Sequence, residues 1–499
     1  MADNSTRPTY GNWRLPSRPG IGPLGLTGTV LLFGGLILSL LTALISWVAA
    51  VGVAATVAMV TVPLAIRTVD GRTGFTVLAT RAGWASRRLT GQDTYVSGPL
   101  TGRRFSPPGL LADLEMLEGR DVYSRRFGAI HDRRTQTYTV ALACDPDGGA
   151  LVDGEQVDTW VASWGGWLAS LAHEPGLIGA SVVVETSPDP GTRLAAEVLP
   201  RLSPGAPESA RAVLAEVVRS YPAASSETST YVTLTYRPRA DGAVFASRAD
   251  RLADTVTDLA TRIPHLAAGL SAAGGGPAVP VPAGQIAEAV RVAFDPSAAA
   301  LVVQARAKDG ATGMDWADCG PITARETADA YFHEDVVSRT WVASEAPRGT
   351  VRSGVLRGLL EPSPRIARKR VAVLYRPVDP ASAARIVESD RRTAHFMAAS
   401  TTGLVRARAS TAIRAAEQAA AEEASGAGLV EFALVVTATV NSPDGLRAAG
   451  TEIGNLAAAS RLRLRVARGQ QAAAFATGLP AGVLPWLHSL VPSGLRSAL

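Results

Sequence analysis

The sequence predicts an α+β protein: a two-span N-terminal transmembrane helical hairpin, then a body built from ferredoxin-like βαβ units. Three observations carry this. From Pro19 to Ile66, 48 consecutive positions hold no Asp, Glu, Lys or Arg. Strand-like and helix-like periodicities alternate between Thr135 and Leu270, and again between Arg370 and Ala476. A glycine- and proline-rich stretch, 272–284, separates the two series.

The first 23 residues read as a polar cytoplasmic tail. The apolar run that follows, 24–66, would be roughly 65 Å long as one helix, against a hydrocarbon core of about 30 Å. Divided near Ile45-Ser46-Trp47, it gives two segments, 24–44 and 47–66, each one span long. Trp47 then sits at the far interface, where an indole is favoured. A cleaved signal peptide fits less well, because its apolar region is roughly 7–15 residues, whereas here a second apolar segment follows at once.

Arginines flank the run on both sides: Arg7, Arg14 and Arg18 before it, and Arg67, Arg72, Arg81, Arg87 and Arg88 after it. The turn between the spans is uncharged. The positive-inside rule places both termini and the whole body on the cytoplasmic side of the plasma membrane. Arg14, Arg18, Trp47, Arg67, Arg72, Arg87 and Arg88 are therefore the expected membrane-interface residues, with lipid as their partner.

Composition narrows the body. Apolar residues are 47% and charged residues 19%, which suits a folded chain and not a disordered one. The net charge is +5, but acids are interleaved with the arginines, and no basic stripe carries interleaved aromatics. Direct sequence-specific nucleic-acid binding is not expected. Cys144 and Cys319 have no CxxC spacing and fit a reducing compartment.

In the juxtamembrane segment, 67–130, Thr73–Thr80 reads as a short strand and Arg81–Leu89 as an amphipathic helix, both close to the headgroups. Gly98–Pro108 reads as loop. A first α+β domain, 131–271, opens with the β-rich run Thr135–Cys144, which stops at Asp145-Pro-Asp-Gly-Gly149. Helix follows over Asp153–His173, where Val157, Trp160, Val161, Trp164, Leu168 and Leu171 recur three and four apart. Leu177–Thr186 is a strand, Thr192–Leu199 and Glu208–Tyr221 are helical, Thr230–Tyr236 is a strand and Arg248–Leu270 a helix. The stretch 272–284 is a linker or long loop.

A second α+β domain, 285–499, opens with a short helix at Gln285–Phe294. Thr340–Ala343 and Thr350–Leu356 read as edge strands. Val371–Tyr375 is a strand and Asp379 an N-cap. An alanine-rich helix broken near Thr402-Gly403 runs to Glu423. Val430–Val440, Ser442–Ser460, Leu462–Val466 and Gln470–Ala476 then read as strand, helix, strand and helix, closing a ferredoxin-like half.

No motif brings a catalytic, cofactor-binding or metal-binding set together. Gly20-Ile-Gly-Pro-Leu-Gly25 matches G-x-G-x-x-G in letters, but it precedes an apolar span and contains proline, so it is a loop. The only lysines, Lys308 and Lys369, neither follow a glycine nor precede Ser or Thr, so the P-loop pattern is absent. None of His131, His173, His265, His333, His395 and His488 has a partner at metal-ligand spacing. His333-Glu-Asp335 reads as a solvated loop. Asp145-Pro-Asp147 reads as a strand-ending turn and not a metal-binding D-x-D. Arg365, Arg368, Lys369 and Arg370 form the densest basic run, a solvated strand entrance or a contact for a partner or for lipid headgroups.

Hairpin, arginine collar and strand–helix–strand, around Ile130-His-Asp-Arg-Arg-Thr-Gln-Thr-Tyr-Thr-Val140 and Asp158-Thr-Trp-Val-Ala-Ser-Trp-Gly165, together resemble an actinobacterial family. Its members are integral membrane proteins associated with conjugation or type IV secretion-like ATPases. The hairpin looks like a PrgI-type membrane subunit, and the body looks like the amino-terminal, non-motor region of the large conjugation ATPase. The end, Gln470-Gln-Ala-Ala-Ala-Phe-Ala-Thr-Gly-Leu-Pro480, is similar to the segment closing that region. The resemblance implies a non-catalytic scaffold without cofactors, oligomeric within a larger assembly, whose partner is a separate P-loop ATPase. The alternatives are a type VII secretion EccE-like membrane component and, from another class, a membrane-tethered enzyme such as a glycosyltransferase.

The hairpin makes a direct prediction. Leu38→Arg places a charge mid-span at a cost of about 2.5–3.5 kcal/mol on insertion scales and should strongly reduce recovery in the membrane fraction. Unchanged recovery that still needs detergent for extraction would remove Leu38 from a span.

Overall fold

The computed structural model describes residues 8–11, 13, 24, 26–66, 68, 72–102, 104–146, 148, 152–189, 194, 198–203, 205–220, 226–238, 247–347, 349–399 and 406–489. The protein is α+β. Its helices are α1 Leu26–Ala43, α2 Trp47–Ala65, α3 Gly74–Leu89, α4 Gly154–Ser170, α5 Glu208–Ser220, α6 Arg248–Leu270 and α7 Ala283–Phe294. They continue with α8 Ala298–Asp309, α9 Arg357–Leu360, α10 Pro380–Ala399, α11 Arg406–Ala424, α12 Gly445–Ala459 and α13 Gln471–Thr477. The strands are β1 Thr94–Val96, β2 Leu114–Arg120, β3 Arg126–Asp132, β4 Thr137–Cys144, β5 Leu177–Pro188, β6 Ser226–Tyr236 and β7 Ala278–Pro280. The second series is β8 Thr323–Glu326, β9 Tyr331–His333, β10 Val336–Glu345, β11 Arg368–Val378, β12 Leu429–Val440 and β13 Arg463–Val466.

All these strands join one sheet, ordered β1-β8-β9-β10-β12-β11-β5-β6-β4-β3-β2, with β7 added to β4 and β13 to β10. The order is a duplication. The first half runs β5-β6-β4-β3-β2 and the second β11-β12-β10-β9-β8, each a three-strand meander, then an outer strand, then a strand inserted between them. A helix (α6 or α12) and a short strand (β7 or β13) follow in each.

Hydrogen bonds match across the halves. Val281 N–H donates to Ala141 O at 2.9 Å, and Ala467 N–H donates to Thr340 O at 3.0 Å. The Thr139 and Thr235 hydroxyls meet at 2.9 Å, and those of Ser338 and Thr439 meet at 2.8 Å. Carried through the strand registers, this correspondence makes Val183 the counterpart of Ala372, and those two residues face one another where β5 pairs with β11. A pseudo-twofold axis passes through that pair.

Helices α4 and α6 cover one face of the first half, with Trp167, Leu259, Ile263, Leu266 and Leu270 packed on Val140, Leu142, Val232 and Leu234. On the second half α12 takes that position, setting Ala449, Ile453 and Ala457 on Val371, Val436 and Ala438. The opposite face is covered by α7, by α13 and by the segment after it, whose Leu484 packs on Val183, Ala372 and Val435 astride the axis. That segment lies close: a Cβ on Gly482, which has φ +68°, would come within 2.3 Å of Thr139 Oγ1.

Several sequence expectations change here. The proposed linker is sheet edge: β7 pairs with β4 from Leu142 to Cys144, so no linker parts two domains at 272–284. The juxtamembrane segment contributes β2 and most of β3 to the sheet. Thr340–Ala343 lies inside β10, bonded to both β12 and β13, and is not an edge. In Thr350–Leu356, Val351 makes an isolated bridge to Tyr10 and, among the described residues, belongs to no strand. Thr73–Thr80 is helix: Thr73 caps α3 by accepting from Thr76 N–H at 3.3 Å, and Thr80 bonds back to Thr76 O at 2.8 Å. Threonine hydroxyls can satisfy helical backbone in this way, which offsets the β-branched preference for strands. The helix expected at Thr192–Leu199, the break at Thr402-Gly403 and Asp147 lie largely or wholly outside the described residues.

The β5–β11 junction holds a buried ion cluster. Glu185 accepts from Arg370 Nε at 2.9 Å and also bonds Arg368. The side chains of Arg370, Arg368 and Glu185 are 2%, 10% and 15% exposed. Burial alone would raise the Glu185 carboxyl, but the Arg370 and Arg368 charges outweigh it and bring it down to about 2. Lys369 points to the opposite face, donates to Glu361 O at 2.6 Å and is pushed down to about 8 by burial.

Removing one member of a buried ion pair costs about 3–5 kcal/mol, because a charge is left uncompensated. Glu185→Gln should therefore lower the apparent melting temperature of the purified protein far more than Arg365→Gln at an exposed pair. The folded carboxyl lies below its unfolded value of about 4.3, so its contribution is complete above that pH and fades as pH falls toward about 2. The variant should lack that component of acid destabilisation. Equal melting of the two proteins at pH 7 would refute the role.

Candidate membrane anchor and its junction with the body

α1 and α2 pack against each other. A Cβ on Gly35 would come within 2.3 Å of Val57, so glycine permits the close approach, and Ser39 Oγ donates to Ala50 O at 3.0 Å. Ser46 caps α2 by accepting from Ala49 N–H. Thr42, Thr56 and Thr61 turn their hydroxyls back to carbonyls of their own helices. The polar groups are thus met within the pair, while Leu36, Ile37, Leu40, Leu41, Val48, Val51 and Met59 point outward and exposed. α2 is long and apolar enough to cross a membrane; the apolar run of α1, Gly28–Ala43, is shorter.

Both flanks of the pair reach the body. Before α1, Tyr10 exchanges backbone hydrogen bonds with Val351 at 2.7 and 2.6 Å, and Trp13 meets Phe432 edge-on at 5.3 Å between centroids. After α2, Gly74 N–H donates to Ile66 O at 2.8 Å, starting α3 against the end of α2. Trp84 then packs on Gly469, whose φ of +69° suits glycine. Arg87 donates to Gly469 O and lies 3.7 Å from Glu326. Glu326 is buried beside Ala472 N–H, and burial raises its carboxyl. It lines a recess of about 60 Å³ with Tyr95, Phe294, Tyr331 and Phe475.

The residues expected at a membrane interface separate by place. Trp47 is 73% exposed at the turn between the helices. Arg72 binds Thr76 O at 3.2 Å and Thr80 Oγ1 at 2.9 Å inside the α2–α3 junction. Arg87 faces the body, and Arg88 lies exposed over the Trp84 ring at 5.4 Å. Arg14, Arg18 and Arg67 lie outside the described residues.

The basic run divides differently from expectation. Arg365 is exposed and pairs with Glu452 at 3.4 Å. Arg368, Lys369 and Arg370 are buried at the β5–β11 junction, so they are neither a solvated strand entrance nor a headgroup contact. The carboxylate partner of the two arginines, Glu185, lies far away in sequence, and no local pattern announces it.

His333-Glu-Asp335 is likewise no solvated loop. His333 is buried, with Nδ1 2.6 Å from Phe294 O and Nε2 2.8 Å from Ser338 Oγ. A carbonyl only accepts, so Nδ1 donates to it and Nε2 accepts from the hydroxyl. Burial pushes the imidazole down to about 4 and keeps it neutral. Glu334 accepts from Arg291 at 3.0 Å and from Ile322 N–H at 2.8 Å. These are structural contacts. Cys144 and Cys319 are buried free thiols, both raised by burial.

No curated protein matches the chain. Residues 17–76, which take in the α1–α2 pair and the start of α3, are similar to a family model described as a domain of unknown function, DUF8461.

Proposed function

We propose that the protein is a membrane-anchored scaffold of a secretion or conjugation machine of the type IV-like kind. The α1–α2 pair crosses the plasma membrane as a hairpin, and the cytoplasmic body docks a separate P-loop ATPase. One observation carries the anchor: residues on both sides of the pair, Tyr10 and Trp13 before it and Trp84 and Arg87 after it, bind the same body. A single crossing would put those flanks on opposite sides of the bilayer. An even number of crossings keeps them together. Outward-facing leucines, isoleucines and valines on both helices support the same reading, since water penalises such a surface at about 25 cal/mol per Å². The shorter α1 can be accommodated by local thinning of the bilayer.

The docking role rests on the order of hairpin, arginine collar and α+β body. The large sheet supports it by offering a stiff platform whose ionic cluster is used internally, leaving surface helices such as α10 and α11 for a partner.

Topology and partner can be read in one strain. With Cys144 and Cys319 replaced by alanine, Ser46→Cys should react with an impermeant maleimide in intact spheroplasts, and Thr90→Cys only after the membrane is opened. Crosslinking followed by mild-detergent purification should recover a P-loop ATPase. Labelling of Thr90→Cys in intact cells, with Ser46→Cys silent, would invert the orientation. Recovery of the protein with no ATPase would refute docking.

A further inference from the structure

The structure assigns α3 a second partner besides the body: we propose that its outer face lies in the headgroup layer of an anionic membrane. This inference rests on the hairpin anchor. At about 100° per residue, Thr76, Val77, Thr80, Trp84 and Arg87 share one side of the helix. That side is the partly covered one, carrying the contacts to Gly469 and Glu326. Phe75, Leu78, Ala82, Ala85 and Leu89 recur three and four apart on the opposite side. All five are exposed, Leu78 at 55% and Leu89 at 87%.

Two features choose lipid as the occupant. The stripe is continuous with the hairpin, since α3 begins against the last turn of α2: Gly74 N–H bonds Ile66 O, and a Cβ on Gly74 would lie 3.0 Å from Pro63 O. Where α2 leaves the bilayer, α3 starts at headgroup depth. Charge agrees with this. The helix holds Arg81, Arg87 and Arg88 and no acid, and Arg81 and Arg88 are exposed along one border of the stripe. An apolar stripe edged by arginines is the composition of a helix lying in the interface, its apolar side about 5–10 Å into the headgroup and acyl boundary. Because the opposite side grips the body, such a helix would fix the sheet's orientation to the membrane.

The test uses the full-length protein in vesicles of phosphatidylcholine and phosphatidylglycerol, with both native cysteines replaced. An environment-sensitive fluorophore is placed on Leu78→Cys, Leu89→Cys or, as a reference inside the hairpin, Leu38→Cys. Lipids brominated near the headgroup end of the acyl chain should quench emission at Leu78 and Leu89; deeper bromines should quench it at Leu38. Quenching at Leu38 without quenching at Leu78 or Leu89 would overturn the α3 proposal and leave the anchor standing. The same holds if a blue-shifted emission then shows the face covered by protein, such as a second copy. No quenching at any position would remove the anchor and α3 together. Arg81→Glu with Arg88→Glu should reduce quenching at Leu89 in anionic vesicles and not in pure phosphatidylcholine. Equal quenching with and without the two arginines would refute the headgroup contact.

Discussion

The structure hangs on the antiparallel pairing of β5 with β11. The five main strands on one side of that junction have counterparts on the other, and the two half-sheets become one sheet through this pairing. The pair Val183–Ala372 marks its centre, and Glu185, held between Arg368 and Arg370, lies beside it. A carboxylate with two guanidiniums is costly to desolvate and costlier to break. Placed here, it opposes register slip, because a shift by one residue would turn Glu185 to the other face and leave two buried arginines unmatched. The chain after α13 adds a second tie as it crosses the axis: Leu484 seals the apolar face, and Gly482 passes against Thr139 with no room for a Cβ.

A path of contacts joins this junction to the α1–α2 pair. Arg370 lies over the Phe475 ring at 5.4 Å, and Phe475 packs with Phe294, Tyr331 and the neutral His333. Phe475, Phe294 and Tyr331 also line the recess beside Glu326, which Arg87 approaches from α3. Aromatic packing makes this a stiff route, in contrast with the exposed surfaces of α5 and α11.

Local pattern makes much of the fold legible. Arg248–Leu270 forms α6 with the expected bounds, because its apolar positions recur at helical spacing and Ser247 caps it by accepting from Asp250 N–H. Asp379 does cap α10, accepting from Ser382 N–H at 3.0 Å. The division of the apolar run near Ser46 is legible for the same reason, a polar cap between two apolar stretches. Thr73–Thr80 misleads because its β-branched residues suggest a strand while their hydroxyls serve a helix. The basic run at 365–370 misleads because a string of arginines and a lysine looks solvated until its partners are known.

The sequence by itself determined the uncharged apolar run, its break at Ser46, the alternation of helices and strands and the α+β class. Each of these follows from interactions between residues a few positions apart, which composition and periodicity record. Only the tertiary structure decided that one sheet replaces two linked domains, that its halves are duplicates, and that Arg368 and Arg370 face inward. The duplication left only a faint trace in residue identity: Val232, Thr233 and Thr235 answer to Val436, Thr437 and Thr439, but Thr139 answers to Ser338 and Val183 to Ala372. What repeats is the pattern of backbone hydrogen bonds, and backbone pairing can be kept while side chains diverge. Glu185 meets Arg368 across 183 positions of chain. Pairings at that separation are selected by the packing of the whole sheet, and no local window of sequence contains them.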